Sequence, residues 1–333
     1  TDNVPRLDYT DSSCPALLLE PQRTNICPNS EDVSNWYLTF ATATPNDAIS
    51  PEGVQNAAKI VTSSAGCDVK LTSIPVSPST TYTASFYCKL TSGSGLQTRF
   101  YDNTNGANIE YYDYTSQVAV GEWKRVTRTF TTPAGCNNIQ IWFLAASSSA
   151  SVTAHYWGYQ LEAGSYATSY IPTYGSAVTR NATLMNLNPA TMLGSNVGSW
   201  YLELDDLTFE ITGTTVPTIY LGNDSNENLA LVARSTGNNK FVFLVKEEAG
   251  TSITIHSFIF SSLTKIMFVW NGSTLKAFVN GSQVYSANDF ANFSNWDDFT
   301  FNRTSREALI ELNQTMLFPT ALTDQEAIDL TTI

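Results

Sequence analysis

Short runs in which apolar and polar residues alternate occupy most of the chain between residues 57 and 161. Alternation with a period of two predicts β-strands buried on one face, and the clusters of Gly, Pro, Ser and Asn between the runs predict turns. No helix of useful length fits this region, so the pattern indicates an all-β sandwich. The predicted strands are Val69–Ile74, Tyr82–Leu90, Leu96–Tyr101, Ile109–Tyr114, Trp123–Phe130, Ile139–Leu144 and Ser151–Leu161.

A second series of runs begins near residue 200 and continues almost to the C-terminus. Two Asn-Gly pairs, Asn271–Gly272 and Asn280–Gly281, predict tight type I′ hairpins, because Asn and Gly tolerate the positive φ angles of that turn. Thr323 and Glu326 have the spacing of a capping box, which predicts a short helix. The predicted strands are Trp200–Phe209, Thr218–Gly222, Leu229–Arg234, Lys240–Lys246, Ser252–Phe258, Lys265–Trp270, Thr274–Asn280 and Glu307–Phe318.

The chain has 333 residues, which suits two domains better than one. Residues 168–188 carry few charges and include Pro172 and Gly175, a composition that predicts an ordered but irregular linker. We therefore predict an all-β fold class with two antiparallel β-sandwich (jelly-roll) domains in tandem. The predicted parts are a lead-in segment at 1–35 packed on the first sandwich, the first sandwich at 36–172, a linker at 173–197 and the second sandwich at 198–333.

Charged residues make up only 14% of the chain, so its surface depends on Thr, Ser and Asn, as is typical of β-rich extracellular or virion proteins. Seventeen basic and thirty acidic residues give a net charge of −13. This negative field argues against nucleic acid and anionic membranes as partners. No apolar run is long enough for a membrane-spanning helix, so no membrane insertion is predicted. Because the chain begins at Thr1 rather than Met, we interpret it as the C-terminal part of a longer polypeptide.

The five cysteines all precede residue 140 and show no C-x-x-C spacing, which excludes zinc ribbons and common redox motifs. Their odd number favours free, buried thiols over a disulfide framework. Cys14 and Cys27 are the pair that a short loop would allow to bond. The remaining cysteines are Cys67, Cys88 and Cys136.

Four segments carry a resemblance to a known family: Ala16–Asn25, Tyr82–Lys89, Gly121–Phe130 and the run Tyr156–Gly164 with the Thr/Ser/Pro stretch that follows it. Together they resemble the jelly-roll carbohydrate-binding modules, in the version common on bacteriophage tail fibres and related adhesins. The resemblance extends from Pro5 to Ala182. It implies that the first segment is a lead-in strand joining the sandwich.

An alternative interpretation of that first segment is that Leu17–Leu19 is simply a buried strand. Arg6 and Arg23 would then pair with surface carboxylates.

The hairpin region and the ending of the second half, from Phe268 to Val284 and from Leu312 to Leu330, carry a second resemblance. They are similar to laminin-G-like and concanavalin A-like lectin domains. This resemblance covers Gly198 to Ile333 and implies a second lectin-type sandwich.

Residues for catalysis are scarce. The two histidines, His155 and His256, each lie in an alternating run, and no G-x-S-x-G or H-E-x-x-H motif is present. A glycosidase needs two carboxylates flanking the scissile bond, but the available pairs lack a family signature. We therefore predict that these residues form no enzyme. The pairs are Glu110 with Asp113, Asp205 with Asp206, Asp297 with Asp298, and Glu247 with Glu248.

Sugar binding fits the composition better, because sugars stack their C–H faces on aromatic rings and pair their hydroxyls with amides and carboxylates. If Ile139, Ile141 and Phe143 face the core, Gln140 and Trp142 face outward. We predict a ligand-binding surface on that outward face, although tyrosines in such sheets also pack against a neighbouring domain or protomer. The candidate residues are Arg99, Tyr101, Tyr112, Tyr114 and Trp142, whereas Trp36, Trp123, Trp157, Trp200 and Trp270 are predicted to be structural.

Two loops, Asn223–Asn228 and Asn295–Asp298, combine carboxylate and amide oxygens, which are the ligands that Ca²⁺ prefers. Laminin-G-like folds often hold Ca²⁺ at such a loop rim, so the second resemblance implies a possible calcium site. The alternative is that both loops are solvated, because neither has the spacing of a defined calcium loop.

The two resemblances imply a non-catalytic protein that attaches a virion to cell-surface glycans or polysaccharides, as the C-terminal receptor-binding part of a phage tail fibre. Such fibres are usually trimers, so a homo-oligomer is expected. The alternatives are a head fibre or capsid decoration protein, a cell-surface adhesin, and an accessory binding module of a polysaccharide-degrading enzyme. The expected location is the virion or, otherwise, the extracellular space.

Overall fold

The structure is a computed structural model. It describes residues 6–8, 16–34, 36–63, 67–93, 96–145, 151–183, 185–190, 192–193, 196–208, 216–222, 228–234, 240–246, 252–259, 263–288, 298–301 and 309–333.

The described residues form strands almost throughout. In chain order the elements are β1 (Leu7–Asp8), β2 (Ala16–Leu19), β3 (Arg23–Asn25), β4 (Tyr37–Thr39), β5 (Ala41–Ile49), β6 (Gln55–Thr62), β7 (Asp68–Pro75), β8 (Thr81–Ser92), β9 (Leu96–Asp102), β10 (Ala107–Asp113), β11 (Lys124–Thr131), β12 (Asn138–Ala145), β13 (Thr153–Ala163), β14 (Val178–Arg180), β15 (Met185–Leu187), β16 (Val197–Thr208), β17 (Val216–Gly222), β18 (Asn228–Arg234), β19 (Lys240–Lys246), β20 (Ser252–Ile259), β21 (Thr264–Asn271), β22 (Thr274–Val279), β23 (Ser282–Ala287), β24 (Asp298–Phe301), β25 (Leu309–Phe318) and the helix α1 (Asp324–Thr331).

The chain divides into two compact units. Unit 1 consists of Thr1–Gln22 and Asn181–Ile333, and unit 2 consists of Arg23–Arg180. Neighbouring strands within each described sheet pair antiparallel, for example β12 with β9 in unit 2 and β16 with β21 in unit 1. The predicted all-β, antiparallel fold class is therefore confirmed.

Unit 2 is a sandwich of two five-stranded sheets. The front sheet has the order β10-β9-β12-β7-β4, and the back sheet has the order β11-β8-β13-β6-β5. Alternate residues of both sheets meet in an aromatic core that includes Phe86 from β8, Phe143 from β12 and Tyr159 from β13. Rings of this size account for much of the apolar area that a sandwich buries, and edge-to-face contacts such as Phe86 with Phe143 are a preferred geometry.

All seven strands predicted for this unit are present. The strands β4, β5 and β6 were not predicted. β4 has only three residues, and β5 is mostly polar and partly exposed. In β6 the adjacent Ala57 and Ala58 are both buried, which interrupts the alternation. Trp36 and Trp157 are buried as predicted. Trp123, which was also predicted to be structural, is only half-buried and lies outside the core, where it donates its indole N–H to the carbonyl of Ile49.

The lead-in segment predicted at 1–35 is divided between the two units. Its strand β2 pairs with β25 in unit 1, and β3 pairs with β14 in unit 2. The physical reason lies in two features of the segment. Leu19 is buried in the core of unit 1 and holds β2 there. Pro21, two residues later, has no N–H to donate and so ends the hydrogen-bonded pairing of β2. The predicted linker at 173–197 also contains paired strands, namely β14 and β15.

The two arginines of the lead-in segment contact buried carboxylates. Arg6 lies 2.6 Å from Glu20 in unit 1, and Arg23 lies 3.8 Å from Glu162 in unit 2. Glu20 and Glu162 are at most 1% exposed. The alternative of surface ion pairs is therefore wrong, because both carboxylates are enclosed by their own unit.

Unit 1 contains a seven-stranded sheet, β1-β2-β25-β16-β21-β22-β23, and a six-stranded sheet, β15-β24-β17-β18-β19-β20. Both predicted hairpins form. Asn280 and Gly281 have the positive φ angles of the predicted type I′ turn. The prediction of a type I′ turn at Asn271–Gly272 is wrong, because Asn271 is the last residue of β21 and the turn consists of Gly272 and Ser273. The capping box between Thr323 and Glu326 opens α1 as predicted.

Gly198 shows how tightly the core of unit 1 is packed. A Cβ atom at this position would lie 2.7 Å from Cε2 of Trp270, whose ring is fully buried and has no room to move. We expect Gly198→Ala to destabilise unit 1 by about 1–3 kcal/mol through overpacking. Urea unfolding followed by hydrogen exchange of β16 and β21 measures this effect, and unchanged protection in those strands would contradict it.

Four of the five cysteines, Cys27, Cys67, Cys88 and Cys136, are buried free thiols, whereas Cys14 lies outside the described residues. Burial raises the pKa of Cys27 and of Cys88 to about 12. Both side chains are therefore neutral and packed as small apolar groups.

Candidate functional site

The outward face of the front sheet collects three of the predicted ligand-binding residues. In β12, Ile139, Ile141 and Phe143 are buried, and Gln140 and Trp142 point away from the core, as predicted. In β9, strict alternation turns Arg99 and Tyr101 to the same outward side. Arg99, Tyr101 and Trp142 therefore lie together on one surface.

One line of side chains crosses all five strands of the front sheet. Successive cross-strand partners are Tyr37 with Lys70, Lys70 with Trp142, Trp142 with Arg99, and Arg99 with Tyr111. Aromatic and cationic side chains alternate along this line. We call these five residues the aromatic–cation row.

The cations of the row lie over the rings beside them. The Nζ atom of Lys70 lies 4.4 Å from the ring centroid of Tyr37 and 4.2 Å from that of Trp142. The Cζ atom of Arg99 lies 4.3 Å from the centroid of Trp142, 4.6 Å from that of Tyr101 and 5.3 Å from that of Tyr111. Each such contact is worth about 0.5–1 kcal/mol at an exposed site, so together they hold the row in one arrangement.

Amide side chains fix the orientation of the central groups. The indole N–H of Trp142 donates to Oε1 of Gln140 at 2.9 Å, and Nε2 of Gln140 donates to Oδ1 of Asn103 at 2.9 Å. Nε of Arg99 donates to Oδ1 of Asn108 at 2.5 Å. Such amides combine donors and acceptors, as recognition of sugar hydroxyls requires.

Two predicted residues, Tyr112 and Tyr114, are not on this surface. A bulge between Asn108 and Glu110 shifts the register of β10, so that Tyr111 lies opposite Arg99 and Tyr112 lies opposite the buried Thr98. Tyr112 packs at the edge of the core. Tyr114 is 0% exposed and accepts a hydrogen bond from Thr98, and burial raises its pKa above the ordinary value. Tyr114 therefore belongs to the core and has no access to a ligand.

Three residues of the row were missed: Tyr37, Lys70 and Tyr111. Lys70 stands between the buried Val69 and Leu71, so alternation in β7 was a signal that could have found it. Tyr37 and Tyr111, at 52% and 54% exposure, lie on the two edge strands of the front sheet. Their faces depend on a three-residue strand and on a bulge, for which the sequence carries no periodic signal.

His155 lies on the back sheet, away from the row. Its Nε2 is 2.9 Å from Oδ2 of Asp47, and its Nδ1 is 3.2 Å from the hydroxyl of Thr91. Hydrogen bonds from His155 and Lys59 lower the pKa of Asp47 below its ordinary value. These contacts connect Asp47, in the irregular part of β5, to His155 in β13. The side chain of His256 is outside the described residues.

The two loops considered for calcium fall almost entirely outside the described residues. Of them, only Asn228 and Asp298 are described, and Asp298 is buried, where it accepts a hydrogen bond from Tyr220. Within the described part of the chain, no group of three or more His, Cys, Asp or Glu side chains could hold a metal ion. In that same part, no helix is long and apolar enough to span a bilayer.

All five residues of the aromatic–cation row lie between residues 30 and 149. Residues 30–149 match the family model of a carbohydrate binding domain. The match supports carbohydrate binding by a module of this type within unit 2, as the first resemblance implied. The matched residues, 30–149, correspond to a type of module that is non-catalytic. No curated protein matches the chain at a significant level.

Solved structures similar to part of this chain include several carbohydrate-binding domains. The CBM40 domain of the Ruminococcus gnavus IT-sialidase, bound to α2,3-sialyllactose, is 13% identical over 41% of this chain and 83% of its own, with a TM-score of 0.33. Domain 4 of the Geobacillus stearothermophilus arabinanase AbnA, in complex with arabinotriose, is 19% identical over 42% of this chain and 68% of its own, with a TM-score of 0.33. The CBM22-1 xylan-binding domain of Paenibacillus barcinonensis Xyn10C is 13% identical over 44% of this chain and 94% of its own, with a TM-score of 0.32.

Proposed function

We propose that unit 2 binds a polysaccharide across the outward face of its front sheet, along the aromatic–cation row. The observation that carries this proposal is the row itself, which is continuous over five strands and lies within the residues that match a carbohydrate binding domain. An isolated exposed tyrosine needs no explanation, but a line of rings and cations in register across a whole sheet is an organised surface.

The dimensions of the row suit an extended sugar chain. Neighbouring strands are about 4.8 Å apart, so the row spans roughly 19 Å from Tyr37 to Tyr111. These two tyrosines lie at the ends of the row, and more than half of each side chain is exposed, so a sugar can stack on each ring. Between them, Tyr101, Gln140 and Asn108 form a parallel line of polar contacts beside the row.

For the whole protein, we propose host recognition as the C-terminal part of a phage tail fibre or a similar adhesin. The segment Ala16–Asn25, which resembles the head of such modules, and the hydroxyl-rich surface support this setting. In a trimer, several weak sites would act together and raise the effective affinity. An accessory module of a polysaccharide-degrading enzyme would use the same surface, and the family match supports that setting equally well.

The proposed site can be tested by affinity electrophoresis of the full chain in gels that contain different polysaccharides. We expect Tyr37→Ala and Tyr111→Ala each to weaken binding about five- to tenfold, because each removes one stacking contact of about 1 kcal/mol. The matched control is Tyr174→Ala, which removes a ring that is 76% exposed in unit 2 but lies outside the row. Equal binding by all three variants and the unaltered protein would refute the site.

The biological setting needs a separate measurement. A fluorescently labelled full chain should stain intact bacterial cells if it belongs to a phage fibre, and Tyr37→Ala should reduce the staining. Staining confined to isolated polysaccharides, with none on cells of any strain in a broad collection, would favour the accessory module.

A further inference from the structure

Trp142, at the centre of the row, has both ring faces covered. Its cross-strand neighbours are Lys70 on β7 and Arg99 on β9, which flank β12 on opposite sides. Each cation lies within 4.3 Å of the indole centroid, and such a short distance places it over the ring face. A sugar therefore cannot stack flat on Trp142 in this arrangement, and the centre of the row presents cations to a ligand.

Arg99 retains most of its hydrogen-bonding capacity. Among the residues that the structure describes, it makes one hydrogen bond, from Nε to the neutral amide of Asn108, and no ion pair. A guanidinium carries five N–H donors in a planar fork. The remaining donors, on Nη1 and Nη2, match the geometry of a carboxylate, which Arg binds through two parallel hydrogen bonds.

The charge of this surface differs from that of the chain as a whole. The chain has seventeen basic and thirty acidic residues, yet the row contains two cations and no acid. Asp113 lies two residues from Tyr111 on the same face of β10, and its carboxylate is engaged by Thr115 and Gln97. Hydrogen bonds from Thr115, on its side chain and backbone, keep the pKa of Asp113 below its ordinary value.

We infer that the row selects polysaccharides that carry carboxylate groups, such as those built from uronic acids, and that Arg99 is the residue that determines this selectivity. The carboxylate binds the Arg99 fork, while the sugar rings on either side reach Tyr111 and Tyr37. This inference rests on the proposed function and specifies its class of ligand.

Paired polysaccharides that differ only in charge provide the test. Polygalacturonate, alginate and hyaluronan are each compared with their methyl esters, with xylan and laminarin as neutral references, by affinity electrophoresis and calorimetry on the full chain. At least one acidic polymer should bind about tenfold more tightly than its ester, because esterification removes a charge-assisted bidentate contact. Arg99→Gln, which keeps a donor for Asn108, should weaken binding of the acidic polymer about tenfold and so abolish most of that difference.

Two further variants separate selectivity from folding. Asn108→Asp places a carboxylate beside Arg99 without changing the size of either side chain, so it should also weaken binding of the acidic polymer. Lys124→Gln removes the same charge from an exposed position of the back sheet and should have no effect.

Equal affinity for acid and ester, or binding restricted to xylan and laminarin, would overturn the inference. In that case, weaker binding by Tyr111→Ala would show that the proposed function still stands. Failure of every polysaccharide to bind would refute both.

Discussion

Replacing Glu162 with alanine is expected to destabilise unit 2 by about 3–5 kcal/mol, the range for breaking a buried charged contact. Glu162 is fully buried near the end of β13. It accepts hydrogen bonds from the backbone N–H and the hydroxyl of Thr168, at 2.8 and 2.7 Å, and from Gln160 at 2.7 Å. Removing the carboxylate leaves the two Thr168 donors buried without this acceptor and takes away the charge near Arg23.

The effect of Glu162 can be measured by urea unfolding, with hydrogen exchange of β8 and β13 reporting on unit 2. Glu162→Gln should cost less, because the amide retains one acceptor oxygen, although it turns a donor toward Thr168. Glu122→Ala removes an exposed carboxylate from the same unit and should change the free energy of unfolding by less than about 0.5 kcal/mol. Similar stability in Glu162→Ala and Glu122→Ala would show that the buried network is not important.

Replacing Phe86 with alanine should destabilise unit 2 by a similar amount, about 3–5 kcal/mol, through the lost apolar burial and the cavity that remains. Phe86 is 3% exposed and lies where the two sheets meet. Its ring centroid is 5.1 Å from that of Phe143, 5.7 Å from that of Tyr114 and 6.0 Å from that of Tyr159. The ring of Tyr156 also lies 6.0 Å away, so four aromatic contacts lose their partner at once.

Phe40→Ala is the matched control for Phe86, because Phe40 is a phenylalanine of the same unit with 62% of its surface exposed. Its removal should leave the urea midpoint of unit 2 nearly unchanged. Because Phe143 directly follows Trp142 in β12, Phe86→Ala should also reduce polysaccharide binding at temperatures close to its new unfolding midpoint. A midpoint equal to that of Phe40→Ala would contradict the central role of this ring.

Local alternation was sufficient for the strands that form the middle of the front sheet. In β12, Ile139, Ile141 and Phe143 occupy every second position, and in β9 the apolar Leu96 and Phe100 lie on one face. The side chains lie on the faces that this pattern predicts. For that reason Arg99, Tyr101 and Trp142 could be predicted as outward residues before their neighbours were known. The type of each side chain, aromatic or cationic, also indicated a binding surface rather than a catalytic one.

The edges of the surface could not be predicted in this way. The bulge in β10 adds one residue to the strand, which moves Tyr111 to the outward face and Tyr112 and Tyr114 to the inner one. Whether a bulge forms depends on pairing with β9, and that information is not present in β10 itself. Tyr37 joins the surface only because its short strand pairs with β7.

Sequence alone determined most of the strands, the two sandwiches, the hairpins, the capping box and the outward position of three binding-surface residues, because all of these follow from periods and motifs within a few neighbouring residues. Only the tertiary structure decided that β2 pairs with β25 and that five side chains from five strands align in one row. These features depend on the register between strands that are distant in the chain. Register is set by packing of the whole core, so a shift of one residue would reverse the face of every side chain in a strand.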